Sequence, residues 1–154
     1  MVNGIEVEEP HSPEFQQAQR IFRKLLDMGL TPYRAELSMY NKVLDCAGQA
    51  DLIMEDSAGR KVIVDWKRVR SLKFDNKYNQ LRHPFMHLPD CNGVLYSLQL
   101  SVYAFFLEDG YGMPVADDMY LAVCHPENSE PTLVRVPRMK AEIAALVEYE
   151  LSAA

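Results

Sequence analysis

The chain has 154 residues, 48% of them hydrophobic and 25% charged, with a net charge of −6, which is the balance of one soluble α/β-sized domain. It contains no run near the ~18 apolar residues of a membrane span, and its acidic start, MVNGIEVEEP, excludes a secretory signal or transit peptide. Three widely spaced cysteines, Cys46, Cys91 and Cys124, argue for reduced thiols in an intracellular protein and against a disulfide framework.

Residues 1–12 read as a loose arm, polar and broken by Pro10, leading into one domain that takes in the rest of the chain. From Pro13 to Asp27, Ala18, Ile21, Phe22, Leu25 and Leu26 recur at helical spacing, with Ser12 as N-cap, Pro13 in the first turn and Gly29 as the stop. Tyr33–Tyr40 and Cys46–Met54 read as strands joined by a turn near Asn41-Lys42. After the turn Ser57-Ala58-Gly59, the segment Lys61–Trp66 is the strongest strand signal in the chain, and the three strands favour an antiparallel meander.

Residues 68–93 are irregular, interrupted by Pro84, Pro89 and Gly93, and long enough to suggest a functional loop. Eight of the sixteen basic residues fall between Arg60 and Arg82, opposed there only by Asp65 and Asp75, so the acidic total hides a local positive field. Within the loop, Arg68, Arg70, Lys73, Lys77 and Arg82 interleave with Phe74, Tyr78 and Phe85, a composition suited to DNA with single-stranded or frayed ends. A basic lid pinned to the core by its aromatics is the alternative, and a solvated charged face is the plainest reading of the run. Leu95–Asp109 then reads as a helix with a stripe of Leu98, Val102, Phe105 and Phe106, closed by Gly110. Asp118–Cys124 and Pro131–Pro137 read as two more strands, and Met139–Leu151 as a final helix on Ile143, Leu146 and Val147. The expected fold class is α/β, with a mixed central sheet flanked by helices.

Asp65 and Lys67 are two apart on the third strand and so share a face. A carboxylate and an ammonium at the end of the most apolar strand are costly without a role, although a simple ion pair would also account for them. Asp51, in Gly48-Gln49-Ala50-Asp51, lies on the preceding strand and can come close to Asp65 across the hairpin. Two adjacent carboxylates repel, and Mg²⁺, which binds one or two carboxylates and keeps several waters for phosphate oxygens to replace, relieves that repulsion. Lys67 would orient the attacking water or neutralise a phosphate. No Gly-x-Ser-x-Gly elbow, P-loop or Cys/His nucleophile arrangement offers a competing chemistry.

The series Glu36, Gly48-x-x-Asp51, Val64-Asp65-Trp66-Lys67 and Leu98-Gln99-Leu100-x-x-Tyr103 resembles the PD-(D/E)XK nuclease superfamily, closest to its RecB-like and phage exonuclease-like branch. The stretch LPDCNGVLYSLQLSVYAFFLEDGYG also resembles nuclease-like proteins of large DNA viruses and phages, and the likeness spans roughly residues 13–137. It implies a restriction-endonuclease-like core of order α-βββ-α-β and a Mg²⁺- or Mn²⁺-dependent deoxyribonuclease, with exonuclease favoured and endonuclease left open, working in DNA repair or recombination. It implies Asp51 and Asp65 as metal ligands joined by the backbone carbonyl of Trp66, Lys67 as the catalytic lysine, and Glu36 as a further carboxylate of the metal centre. Gln99 would steady Lys67 or a phosphate, and Tyr103 would contact DNA or pack beside it.

Three scattered cysteines cannot hold the four-cysteine iron–sulfur cluster of some members, so none is expected. Many members carry a metal-binding His on the first helix; His11 is the sole candidate and reads as unrelated. His83 and His87 lack partners for a zinc site and read as loop or phosphate contacts. A non-catalytic nucleic-acid-binding module or subunit with the same fold is the alternative function. The expected partner is DNA, with a homo-oligomer or a larger replication or recombination complex as an open prospect and no membrane.

Overall fold

The structure, a computed structural model, describes residues 12–153. Most of the expected arm and His11 therefore lie outside the described residues.

The first helix, α1 (Pro13–Asp27), starts where Ser12 Oγ accepts the Phe15 N–H at 3.2 Å and Pro13 takes a position that needs no donor. It ends at Met28, after which Gly29 turns the chain with φ +86°, a conformation that glycine reaches at little cost. Ile21 and Leu25 are buried, whereas Leu26 and Met28 face outward.

Five strands follow in the spatial order β1-β2-β3-β4-β5: β1 (Thr31–Asn41), β2 (Cys46–Glu55), β3 (Lys61–Lys67), β4 (Asp118–Val123) and β5 (Thr132–Pro137). The first three form the expected antiparallel meander. The β3–β4 pair is parallel, because the chain crosses over through the long loop and helix α2 (Asn92–Tyr111) before β4 enters, and β5 returns antiparallel. The sheet is thus mixed, and the order α-βββ-α-β is that of the expected core.

Alternate residues of β2 and β3 supply the two cores. Leu52, Met54, Val62 and Val64 pack with Ile21 and Leu25 of α1. On the opposite face, Ile53, Ile63 and Leu121 pack with Leu100, Tyr103, Ala104, Phe106 and Leu107 of α2. With both faces covered, β3 reads as an unbroken apolar run.

Helix α2 departs from the expected single stripe. Val94, Leu98, Leu100, Ala104, Phe106 and Leu107 are all buried, because α2 lies against the sheet and also carries α3 (Lys140–Ala153), whose start is tied to it by the Met139 N–H donating to Ser101 Oγ at 3.0 Å. A helix covered on two sides loses its amphipathic period. Gly110 does not close it. The helix runs on to Tyr111, and Gly112 makes the stop with φ +63° and its N–H on the Leu107 carbonyl. Among the described residues no helix is long and apolar enough to cross a membrane.

Candidate active site

The antiparallel ladder between β2 and β3 stops at Leu52–Val64. One position further on, where Asp51 faces Asp65, the Asp51 carboxylate replaces the missing backbone partner: its Oδ2 accepts the Trp66 N–H at 2.9 Å. The strands part here into a fork. The far side of β3 stays in register with β4 through Asp65–Leu121, Trp66–Ala122 and Lys67–Val123, and the Cys124 N–H donates to the Lys67 carbonyl at 3.0 Å. In an extended strand a residue's N–H and C=O lie on the same side, so the Trp66 carbonyl opens into the fork beside Asp51.

Asp65 is only 4% exposed. Its Oδ2 forms an ion pair with Lys67 Nζ at 2.6 Å, bent away from ideal hydrogen-bond geometry, and has no other partner among the described residues. Burial, followed by the hydrogen bond and charge of neighbouring Asp51, pushes the Asp65 carboxyl up to about 6 against the opposing pull of Lys67. Two carboxylates crowded into a fork, one of them buried and answered only by the Lys67 ammonium, form a donor set that a hard divalent cation fits. Among the described residues no group of three or more His, Cys, Asp or Glu side chains converges, so the groups that could hold such a cation here are Asp51, Asp65 and the Trp66 carbonyl, with water or phosphate in the remaining positions.

Lys67 is held from the α2 side. Its ammonium donates to Gln99 Oε1 at 3.0 Å and sits 4.2 Å from the centre of the Tyr96 ring. Gln99 Nε2 in turn donates to the Tyr103 hydroxyl at 3.0 Å. The Tyr103 ring lies so close to β2 that a Cβ at Gly48 would stand 2.5 Å from its Cε1. The motifs read separately in the sequence therefore form one physical chain: Gly48 admits Tyr103, Tyr103 holds Gln99, and Gln99 holds Lys67 over Asp65.

A family profile for the PD-(D/E)XK nuclease superfamily matches residues 6–152. The chain belongs to the PD-(D/E)XK nuclease superfamily. A comparison with curated protein sequences gives no match. Among solved structures, a Eubacterium rectale protein whose name carries a provisional exonuclease assignment is 18% identical, with a TM-score of 0.47, over 90% of this chain and 52% of that one. The protein SSO0001 is 16% identical, with a TM-score of 0.39, over 90% of this chain and 56% of that one. The chain thus spans under two thirds of the length of these structures, and at such distance neither likeness carries an argument.

Other residues singled out from the superfamily pattern fall differently. Glu36 does not join the aspartates. Its backbone adopts φ +52°, which breaks the regular pleat, and its exposed side chain has no hydrogen bond or ion pair among the described residues. Of the two roles expected for Tyr103, contact with DNA or packing, its placement favours packing: the ring is buried at 9% exposure beneath Gly48 and the hydroxyl accepts from Gln99.

Of the basic loop residues, Arg68 pairs with Glu14 at 3.1 Å and Arg70 with Glu127 at 3.6 Å. Lys73, Lys77 and Arg82 are exposed and carry no ion pair among the described residues, and Tyr78 between them is 92% exposed. His83 and His87 pin the loop to α3, through an edge-on contact with Tyr149 and a 3.2 Å contact with Glu142.

Two neighbours of the site escaped the sequence reading. Tyr96 under Lys67 sits three residues before Gln99, on the same helical face, a spacing that could have exposed it. Glu14, in the first turn of α1, lines a cleft of about 300 Å³ with Phe15, Trp66, Lys67 and Arg68. Backbone and Arg68 hydrogen bonds hold its carboxyl below the usual range. An acidic residue in a first helical turn normally serves the helix dipole, so nothing local marked it.

Proposed function

We propose that the protein is a metal-dependent deoxyribonuclease. The observation that carries this reading is the fork, where Asp51 and Asp65 crowd together, Asp65 is buried, and Lys67 is braced against its Oδ2 at 2.6 Å. Asp51, Asp65 and the Trp66 carbonyl would hold Mg²⁺ or Mn²⁺. Such an ion, when bound, supplies Lewis acidity at phosphorus and lowers the pKa of a coordinated water. Lys67, fixed by Gln99 and Tyr96, places its positive charge where the non-bridging oxygens of the scissile phosphate gather charge and where a water can be aligned for attack. Gln99 and Tyr103 set the reach of that ammonium and act as positioning residues.

The exposed Lys73, Lys77 and Arg82, with Tyr78 among them, give the polynucleotide backbone and bases a landing surface outside the fork. Arg68 and Arg70 would exchange Glu14 and Glu127 for phosphates, an exchange that costs little because exposed ion pairs are worth about 1 kcal/mol or less. The resemblance of the sequence motifs to the RecB-like branch adds the reading of an exonuclease acting on DNA inside the cell, with endonuclease as the alternative outcome of the cleavage test.

The test is cleavage of end-labelled single- and double-stranded DNA in Mg²⁺, in Mn²⁺ and in EDTA by the unsubstituted chain and by its Asp65→Ala and Lys67→Ala variants. Metal-dependent products that disappear in both folded variants are expected. Binding without products in either metal would instead mark a non-catalytic module, and parent-rate cutting by either variant would refute the assigned roles.

A further inference from the structure

A second opening lies on the α1 side of the fork. Phe15 and Phe22 from α1 face Trp66 across a groove of about 350 Å³, whose polar members are Gln19, Arg23 and Asp51. That volume is at the small end of ligand sites. All three aromatic rings are partly exposed. Gln19 and Arg23 have no hydrogen bond or ion pair among the described residues. The groove is continuous with the fork through two residues. Asp51 lines it while accepting the Trp66 N–H, and Trp66 supplies its ring to the groove while its backbone belongs to the fork.

We propose that this groove receives an unpaired nucleobase adjoining the phosphate that is cut, stacked on Trp66 and the two phenylalanines, with Arg23 at the neighbouring phosphate. The inference rests on the nuclease reading and adds to it a strand preference. Aromatic faces bind any base, because every base has a π face, but only a base freed from its partner and its stack can enter. An exposed arginine at the rim answers the polyanionic backbone that such a base brings with it. The groove thus selects single-stranded DNA or a frayed end over an intact duplex.

Trp66 is the single tryptophan of the chain, so its emission reports on its immediate surroundings, this groove and the adjoining cleft by Glu14. Phe22 lines the groove and not the cleft, so loss of quenching in Phe22→Leu assigns the signal to the groove. The full chain is titrated in EDTA with a short single strand, the same strand built from abasic nucleotides, and a blunt duplex, and binding is followed independently by anisotropy of an end label. The intact single strand is expected to quench Trp66 emission, whereas the abasic strand binds without quenching. Phe22→Leu should weaken single-strand binding about tenfold, within the range of one lost stacking contact. Arg23→Gln should weaken it a few-fold and lower the slope of log K against log salt by about one. Equal quenching by the abasic strand, or none at saturating anisotropy, overturns the proposal. So does a Trp66 already shielded from acrylamide in the free protein and unmoved by DNA, because the chain itself would then fill the groove. Metal-dependent cleavage without quenching sinks the groove alone, and absence of cleavage sinks the reading beneath it.

Discussion

Adding one methyl group at Gly48 should loosen the lysine at the other end of the relay. A Cβ built there stands 2.5 Å from Tyr103 Cε1 and 3.3 Å from its Cδ1 and Cζ, well inside van der Waals contact. The ring cannot simply swing away. It is 9% exposed, rests against Phe106 at 6.3 Å between ring centres, and carries the hydroxyl that holds Gln99. Overpacking of this kind costs about 1–3 kcal/mol, which in a domain of this size lowers Tm by roughly 3–10 °C. The displaced ring also moves Gln99 and hence Lys67, and a misplacement near 1 Å can reduce turnover by about a hundredfold. Thermal unfolding and Mn²⁺-dependent cleavage of Gly48→Ala measure the two effects. In the Tyr103→Leu background the clashing ring atoms are gone, so the added penalty of Gly48→Ala should fall below about 0.5 kcal/mol, revealing the coupling as a double-mutant cycle. A Gly48→Ala penalty that is absent from the parent chain, or equal in the two backgrounds, would refute the relay.

Asp65 makes stability depend on pH in a definite direction. Its folded value of about 6 exceeds the usual 3.8, so the folded state binds the proton more tightly, and the stability gained below pH 4 is lost as pH rises through 6. At 1.36 kcal/mol per unit, with part of the shift shared with Asp51 and Lys67, the loss is about 2 kcal/mol. In EDTA, the stability of Asp65→Asn should therefore improve relative to the parent by about that amount between pH 4 and 8, and a difference independent of pH would contradict the assignment. Gln99→Leu removes the 3.0 Å acceptor of Lys67 while keeping the helix, and should lower kcat by about tenfold or more with little change in DNA affinity. A loss confined to KM would place Gln99 at the substrate instead.

The parts of this structure legible in the sequence are those written in local chemistry. Ser12 and Pro13 announced the start of α1, and the unbroken Val62-Ile63-Val64 announced a strand covered on both faces. The two-residue spacing of Asp65 and Lys67 placed them on one face, where the structure joins them in an ion pair. The parts that stayed hidden depend on contacts between distant segments. Glu14 meets Arg68 only because α1 lies across the end of β3, and Tyr103 is buried only because Gly48 lets α2 approach the sheet. Glu36 looked like any strand residue, since nothing in its neighbours reveals a backbone at φ +52°. Gly110 looked like a stop because it is the first glycine after the apolar stripe. The helix instead continues to Gly112, whose left-handed turn satisfies the Leu107 carbonyl.

The most direct trial of the metal fork is anomalous diffraction from crystals soaked in Mn²⁺. One strong peak between Asp51 and Asp65, within coordination distance of the Trp66 carbonyl and absent from Asp65→Ala crystals, is the expected result. Ordered carboxylates with no manganese between them at saturating concentration would contradict the account.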